Sequence, residues 1–484
     1  MSTYKPSGVD VVILDNPNII NLAGIKRVPA IVGLGPSILT VTDEPIIKGV
    51  GAYDSVKDAT ATLLTITKIA NTPGVLSGSL SYLPISANGN LYALGSASIV
   101  NPGSIQWVGT GVNIPSTGSV YYVSYTAALP STQYDPTELF DKTSLINKYG
   151  SESATAGILT TAGSIALENG APSVILVQAS GSTYSEAAYK TAIDKLQKKT
   201  NVSYVSAVFP SGSVTRVQQE SLLTYLFSHV QLMSNNKKER GIISGSPSIY
   251  SAASDGFDVI GDTTVIPSYA YRASVLKSRN SIYVVPSVIT RKDANNVVMN
   301  LDGNFAAVAV AGVFAARDKE SIPVNGFTVN GITIENEKWS EFETNQLGAS
   351  NCFVLESKSN IVTVKRSLTT DPTSADTQEP SVVDVQRLVK RSLRDGLTNT
   401  YTNKGKTVTS TTTNDVIGTT LSILQSLVND GEINTYGKID NPLTGEIKIS
   451  AKQNTTEPRQ VDVTCSYKPN YPFIWISVTV STYI

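Results

Sequence analysis

Between residues 155 and 316 the chain switches repeatedly between two hydrophobic periods, and this alternation limits its possible folds more than any other feature. Thr155–Gly170 reads as a helix and Ser173–Gln178 as the strand after it. Ser185–Thr200 sets Ala188, Ala192, Ile193 and Leu196 on one helical face, ahead of a strand over Val202–Phe209. Val214–Met233 carries Val217, Leu222, Leu223, Leu226, Phe227 and Val230 at helical spacing, a long amphipathic helix. Gly241–Ile243 and Ser281–Val285 are further strands, and Asn304 is the expected cap of a close-packing Ala/Gly-rich helix over Phe305–Ala316. Strands separated by helices return in the same direction, so a mostly parallel sheet with helices on its faces is expected.

Different patterns bracket this core. Near the N-terminus Val9, Val11 and Ile13 form a brief strand that Asp15-Asn16-Pro17-Asn18 breaks, with no obvious partner nearby. An apolar strand follows at Val28–Leu34, ending in Gly33-Leu34-Gly35-Pro36. From residue 58 to 128 the chain is almost uncharged, with short strands expected at Thr62–Ile66, Ser79–Leu83, Leu91–Leu94, Ser104–Val108 and Val120–Tyr125. That spacing suggests a small sandwich or barrel inserted into the α/β unit. Beyond a polar break at Asp371–Pro380 come helices over Val382–Leu397 and Asn414–Asn429, a stop at Gly431, and a strand carrying Val461, Val463 and Cys465. Lys468-Pro469-Asn470 is the expected turn into a final strand, where Ile474, Ile476, Val478 and Val480 share one face. No charge interrupts Pro469–Ile484. An open strand of this kind templates aggregation, so it must be covered, either within its own domain or by another copy of the chain. The pattern leaves both open.

The predicted fold class is therefore α/β multi-domain. It has an N-terminal arm (1–25), a mixed, mostly parallel α/β core (26–57 and 129–380) and an inserted β-rich sandwich or barrel domain (58–128). An α+β C-terminal domain (381–470) and a C-terminal arm (471–484) complete it, with extended terminal strands.

A chain of 484 residues suits about three domains at roughly 150 residues each. Its 38 Lys and Arg nearly cancel 39 Asp and Glu, so there is no global basic field for nucleic acid. Cys352 and Cys465 lie too far apart for a zinc motif or a disulfide framework and fit synthesis in a reducing compartment. No signal-peptide pattern opens the chain, and the longest apolar run, Phe305–Ala316, falls short of the ~20 residues a membrane helix needs. A soluble protein without direct membrane insertion is expected.

Catalytic motifs fail one after another. The single histidine, His229, shares a helical face with Leu222 and Leu226, which suits packing or an interface. No G-x-S-x-G elbow accompanies it. Gly405-Lys406-Thr407 ends like a phosphate loop, but Thr400 stands where the leading glycine belongs; Gly33-x-Gly35 lacks a third glycine at Ile38. No catalytic, cofactor-binding or metal residue is predicted, and the chain reads as a non-enzyme. Arg387, Lys390, Arg391 and Arg394 do form a basic stripe on the helix bearing Val385, Leu388, Val389 and Leu393. It is either a solvated face or a docking surface for an acidic partner.

Taken in order, several segments resemble the contractile tail sheath proteins of phages and related injection machines. They are Gly8–Asp15, Val28–Gly35 (VPAIVGLG), Ser119–Tyr125 (SVYYVSY), Tyr134-Asp135-Pro136 and Ile158–Val177. Ala311–Asp318 (AGVFAARD) with Pro323 and Asn325, then Ser381–Leu397 and Gly431-Glu432-Ile433, continue the series. The chain departs from the family at KESIPVN after Asp318, where an Arg-Gly-Val-Trp-like run is usual, and at Ser7, which separates Pro6 from Gly8. The resemblance implies a structural protein without cofactor, polymerising helically around a separate tail tube protein and contracting to drive it through the host envelope. Baseplate and tail terminator proteins are implied partners, nucleic acid is not, and the implied location is the virion tail after assembly in the host cytoplasm. It further implies that terminal segments cross between subunits, making Val9, Val11, Ile13, Ile474, Ile476, Val478 and Val480 inter-subunit strand residues. The β-rich insertion is expected at the outer radius, and Arg387, Lys390, Arg391 and Arg394 become tube-contact candidates. The alternatives are the sheath of a phage-derived bacteriocin or secretion device, and, in another class, an α/β hydrolase or nucleotide-binding enzyme, which the missing motifs disfavour.

Overall fold

The computed structural model describes residues 28–36, 38–51, 53–55, 63–70, 97–100, 104–107, 115–129, 131–210, 212, 214–246, 269–293, 296–334, 340–401, 407–436 and 449–471. Strand β1 (Val28–Leu34) is buried along its whole length. It is followed by β2 (Ile38–Ile47), β3 (Tyr53–Ser55), β4 (Leu63–Ala70), β5 (Ala97–Val100), β6 (Ser104–Trp107) and β7 (Val120–Ala128). The chain then runs through β8 (Thr137–Leu139), α1 (Lys142–Tyr149), α2 (Ile158–Glu168), β9 (Val174–Ala179), α3 (Glu186–Lys195) and β10 (Val202–Ala207). Next come α4 (Arg216–Asn235), β11 (Gly241–Gly245), α5 (Tyr269–Leu276), β12 (Ser281–Val285) and a hairpin of β13 (Val288–Lys292) and β14 (Val298–Asp302). Helix α6 (Gly303–Ala316), β15 (Thr328–Val329), α7 (Glu341–Ala349), β16 (Phe353–Lys358) and β17 (Ile361–Arg366) complete this part.

A nine-stranded sheet organises it, in the order β15-β17-β16-β12-β11-β10-β1-β9-β8. The six strands from β16 to β9 run parallel, β8 and β17 run against them at the margins, and β15 pairs antiparallel with β17. Strands β1, β9, β11 and β12 are buried at every position, because helices cover both faces of a parallel sheet. The outermost strands have only three and two residues, which limits the open edge they present.

Helix α6 is buried from Gly303 to Ala315, packed between the sheet and α2. Gly312 lets α2 approach this closely: a Cβ there would stand 2.5 Å from the Ala166 carbonyl oxygen. The cap of α6 differs from expectation. Asp302 caps it, accepting from the Asn304 amide at 3.0 Å, while Asn304 lies inside the helix and accepts from the Gly245 amide at 3.1 Å. Asn304 thus ties the helix start to β11.

The antiparallel strands form two three-stranded sheets, β2-β7-β4 and β3-β6-β5. Strand β2 pairs with β7 from Ile38 to Ile47, so the unit opens at Ile38 and not at residue 58. Composition misplaced this boundary because Asp43, Glu44 and Pro45 sit within β2, where the register shifts between Val41 and Glu44. The strands expected at Ser79–Leu83 and Leu91–Leu94 lie outside the described residues.

Downstream, α8 (Ala375–Gln378) precedes two long helices, α9 (Pro380–Tyr401) and α10 (Ser410–Asn429). They share a separate apolar core that includes Leu388, Leu393, Leu424, Leu427 and Ile433. Two ribbons pack on it: β18 (Ile433–Tyr436) with β21 (Tyr467–Pro469), and β19 (Ser450–Gln453) with β20 (Val461–Thr464). Lys468 and Pro469, expected in a turn, are strand residues facing Thr435 and Ile433.

Candidate functional site

Among the described residues no group of His, Cys, Asp or Glu is placed to hold a metal ion, and Cys352 and Cys465 are free thiols. His229 is buried, with Nε2 3.4 Å from Arg240 Nη1. Burial and the neighbouring guanidinium push its pKa down to about 4, so the ring is neutral. Arg240 is itself fully buried and donates to the carbonyls of Leu196 and Lys199. Gly33 packs against Val208 and Leu159, and Gly35 against Gln178, so neither belongs to a phosphate cradle. A cavity of about 280 Å³ between α4, α5 and the ends of β10 and β11 is lined mainly by apolar groups such as Phe209, Leu222 and Leu226. The Glu220 and Arg272 side chains at its wall form an ion pair with each other.

The densest polar constellation lies where α9 meets the α/β core. Tyr204 on β10 donates to both Asp384 oxygens, at 2.7 and 2.8 Å. Arg317, one residue past α6, donates to Asp384 Oδ2 at 2.5 Å and to the carbonyls of Glu320 and Ile322 at 2.9 Å. Arg387 donates to Asp384 Oδ1 at 2.7 Å and to Asn280 Oδ1 at 3.0 Å. Arg391 reaches Glu320 at 3.5 Å, and Arg394 pairs with Glu239. Glu432, following α10, accepts from the amides of Glu320 and Ser321. Burial opposes the Arg317 charge, but the Asp384 and Glu320 carboxylates outweigh it and hold its pKa above the usual value. Burial likewise pushes the Glu239 carboxyl up, yet Arg394 prevails and holds it below its ordinary range. This cluster binds α6, β10, α9 and the α10 terminus into one piece.

Its members correct the reading of the basic stripe. The side chains of Arg387, Arg391 and Arg394 are 8, 16 and 14% exposed, turned inward onto the buried carboxylates of Asp384, Glu320 and Glu239. They form neither a solvated face nor a free tube-docking surface; Lys390 alone of the four is exposed. Helix α9 is covered on two sides, its apolar face by α10 and the ribbons and its basic face by the core. Glu320 and Glu239, which pair with Arg391 and Arg394, come from elsewhere in sequence, so spacing within α9 could not reveal them, whereas Asp384, the partner of Arg387, lies three residues upstream on α9 itself. Tyr204, Asp384, Glu320 and Arg317 went unnoticed as a site; the arginine ending AGVFAARD was the available signal, a charge directly after a helix buried all round.

The inter-subunit candidates Val9, Val11, Ile13, Ile474, Ile476, Val478 and Val480 lie outside the described residues. The ribbons near them do not: β18–β21 and β19–β20 have two strands each, so every one of these strands has an edge unpaired among the described residues.

In sequence the chain is 25% identical, over 330 residues, to the tail sheath protein of Mycobacterium phage Bxz1, covering 67% of this chain and 51% of that protein. The chain thus spans about half the length of the curated relative it matches. No family model matches it. Its fold is similar to the anti-feeding prophage helical sheath in the contracted state, with a TM-score of 0.52, 10% identity, and 73% and 90% of the two chains covered. The sheath tail protein of Listeria innocua gives a TM-score of 0.50 at 9% identity, covering 93% of this chain and 95% of that one. The chain has a sheath fold and is related in sequence to a phage tail sheath protein.

Proposed function

We propose that this chain is a structural subunit of a contractile sheath, polymerising helically around a separate tube and contracting to drive it through a host envelope. The sequence relation to a phage tail sheath protein carries this reading, and the shared fold supports it. Head-to-tail contacts that do not close generate helical arrays, and contraction is then a switch between two packings of the same folded subunits. No cofactor is required by such a switch. The antiparallel unit over residues 38–128 would sit at the outer radius. The segments around Val9–Ile13 and Ile474–Val480 would cross to neighbours and extend the ribbons, since two-stranded sheets are marginal alone and strand addition completes them through main-chain hydrogen bonds. Lys390 remains the tube-contact candidate on α9. Baseplate association is part of the proposal, because the anti-feeding prophage baseplate is also similar in fold, with a TM-score of 0.52. The intended setting is a virion tail.

A second reading, the sheath of a non-viral injection device, is favoured by the likeness to the extracellular contractile injection system PVC sheath, at a TM-score of 0.50. Negative-stain electron microscopy of the purified protein tests the class: hollow sleeves are expected, and compact monomers at all concentrations would rule it out.

A further inference from the structure

The main-chain nitrogen that follows an asparagine can attack its side-chain amide, and glycine, lacking a Cβ, leaves that path most open. The described residues contain three Asn-Gly pairs: Asn169-Gly170, Asn325-Gly326 and Asn330-Gly331. The fold treats them differently. Asn169, just past α2, is buried; its Nδ2 donates to the carbonyls of Ile165 and Asn330 at 2.8 and 2.9 Å, and its Oδ1 accepts from the Asn330 amide at 2.8 Å. The Gly170 amide donates to the Leu167 carbonyl at 2.9 Å. Asn325 is half-buried, and its Oδ1 accepts from the Ser367 amide at 2.8 Å while the Gly326 amide donates to the Val364 carbonyl at 2.8 Å. In both pairs the nucleophile and the group it would attack are already engaged in hydrogen bonds.

The third pair, directly after β15, differs on both counts. Asn330 and Gly331 are exposed, and neither the Asn330 side chain nor the Gly331 N–H makes a hydrogen bond among the described residues. Asn169 holds only the Asn330 main chain, and its Nδ2 donates to the carbonyl conjugated with the Gly331 nitrogen. That bond draws electron density from the nitrogen and favours loss of its proton.

We propose that Asn330 is a site of spontaneous deamidation and the first of these three to convert. Hydroxide removes the Gly331 N–H proton, the nitrogen bonds to Asn330 Cγ, and the Cγ–Nδ2 bond breaks with release of ammonia. Water then opens the resulting succinimide at either carbonyl. One opening gives aspartate and the other isoaspartate, whose main chain runs through Cβ and Cγ. One water is consumed, one ammonia leaves, and each converted chain gains a negative charge. In the isoaspartyl form the added main-chain carbon spoils the two-point hold of Asn169 on residue 330, loosening the tie between α2 and β15. The inference is independent of what the chain assembles into.

The test ages the folded full-length chain at mildly alkaline pH beside a sample in guanidinium chloride, and follows each pair by peptide mapping with mass spectrometry. Replacement of the amide nitrogen by oxygen marks conversion, and electron-transfer fragmentation separates isoaspartate from aspartate. Hydrogen-bonded sites react only after local opening, so in the folded chain Asn169 and Asn325 should convert at least roughly tenfold more slowly than Asn330. In guanidinium chloride that gap should close. Asn169 or Asn325 keeping pace with Asn330 in the folded chain overturns the proposal, and so does an unchanged Asn330 where the unfolded sample converts. Aged wild type should also melt below an equally aged Asn330→Gln variant, which controls for damage elsewhere; equal midpoints overturn the loosening of α2 from β15.

Discussion

Asp384 gathers a phenol and two guanidinium groups around one carboxylate in a space that is nearly dry. Removing it strands Arg317 and Arg387 as buried charges without their shared counter-ion. Deleting one partner of a buried pair costs about 3–5 kcal/mol, so Asp384→Ala should lower stability by that order. Urea unfolding monitored by circular dichroism measures it, and a loss below about 1 kcal/mol would show that water replaces the carboxylate. His229 makes a pH prediction. Its folded pKa, about 4, lies below the ordinary value of 6.5, so the unfolded chain takes up the proton first as pH falls. Its contribution is therefore present above pH 6.5 and is lost progressively toward pH 4. Asp302 titrates the other way: burial raises its pKa to about 7, so stability drops as pH rises from 3.8 toward 7. Comparison with His229→Gln removes the Asp302 effect, which both proteins share. Unfolding midpoints at pH 7.5, 6 and 5 should show wild type losing ground to the variant at each step; parallel curves would mean that the imidazole charges freely in the fold.

At the level of elements, the antiparallel unit makes the sharpest case. Its entry and exit meet at one buried side chain: Gln178 donates to the Pro36 carbonyl at 2.7 Å and accepts from Gln133 Nε2 at 3.1 Å. Gly35 is required there, since a Cβ would come within 2.5 Å of the Gln178 amide oxygen. A short Gly/Ser bridge in place of residues 38–128 should consequently leave the α/β core soluble and folded, whereas deleting only 58–128 strips β2 of its β7 partner and exposes an edge. Expression and thermal melting of both deletion variants decide; aggregation of the 38–128 deletion would show that the core depends on the unit. This pair of deletions also marks the limit of legibility. Strands β1, β9, β10, β11 and β12 and helices α2, α3, α4 and α6 could be read because each is an unbroken apolar run or a clear helical repeat, whereas the parallel strand β16 was not read. Strand β2 could not, with Asp43, Glu44 and Pro45 in its middle, and β19 could not, because Ser450–Gln453 carries no strong apolar alternation. For α9 the sequence showed the helix and its apolar stripe, but not that Glu239, Glu320 and Tyr204 would arrive from distant segments to cover the other side.

For the molecule as a whole, the proposed exchange of terminal segments separates folding from assembly. The C-terminal unit has its own apolar core in Leu388, Leu393, Leu424 and Leu427, which lies upstream of residue 471. Removal of Tyr471–Ile484 should leave a folded chain that melts close to wild type yet forms no sleeves. Melting by circular dichroism and sedimentation of the same sample check this; a sharply destabilised product would make the last segment an internal strand, and sleeves would make it dispensable. The arginine–carboxylate cluster at α9 has a mechanical consequence for such an assembly. Tension applied at the ribbons by a neighbour's strand passes through α10 and α9 and meets the large sheet at Arg317, Arg387 and Arg394, charges that would have to be rehydrated one by one before the seam could part. In the proposed assembly the α9 seam should therefore hold under load, so that the helical unit and the α/β core travel together.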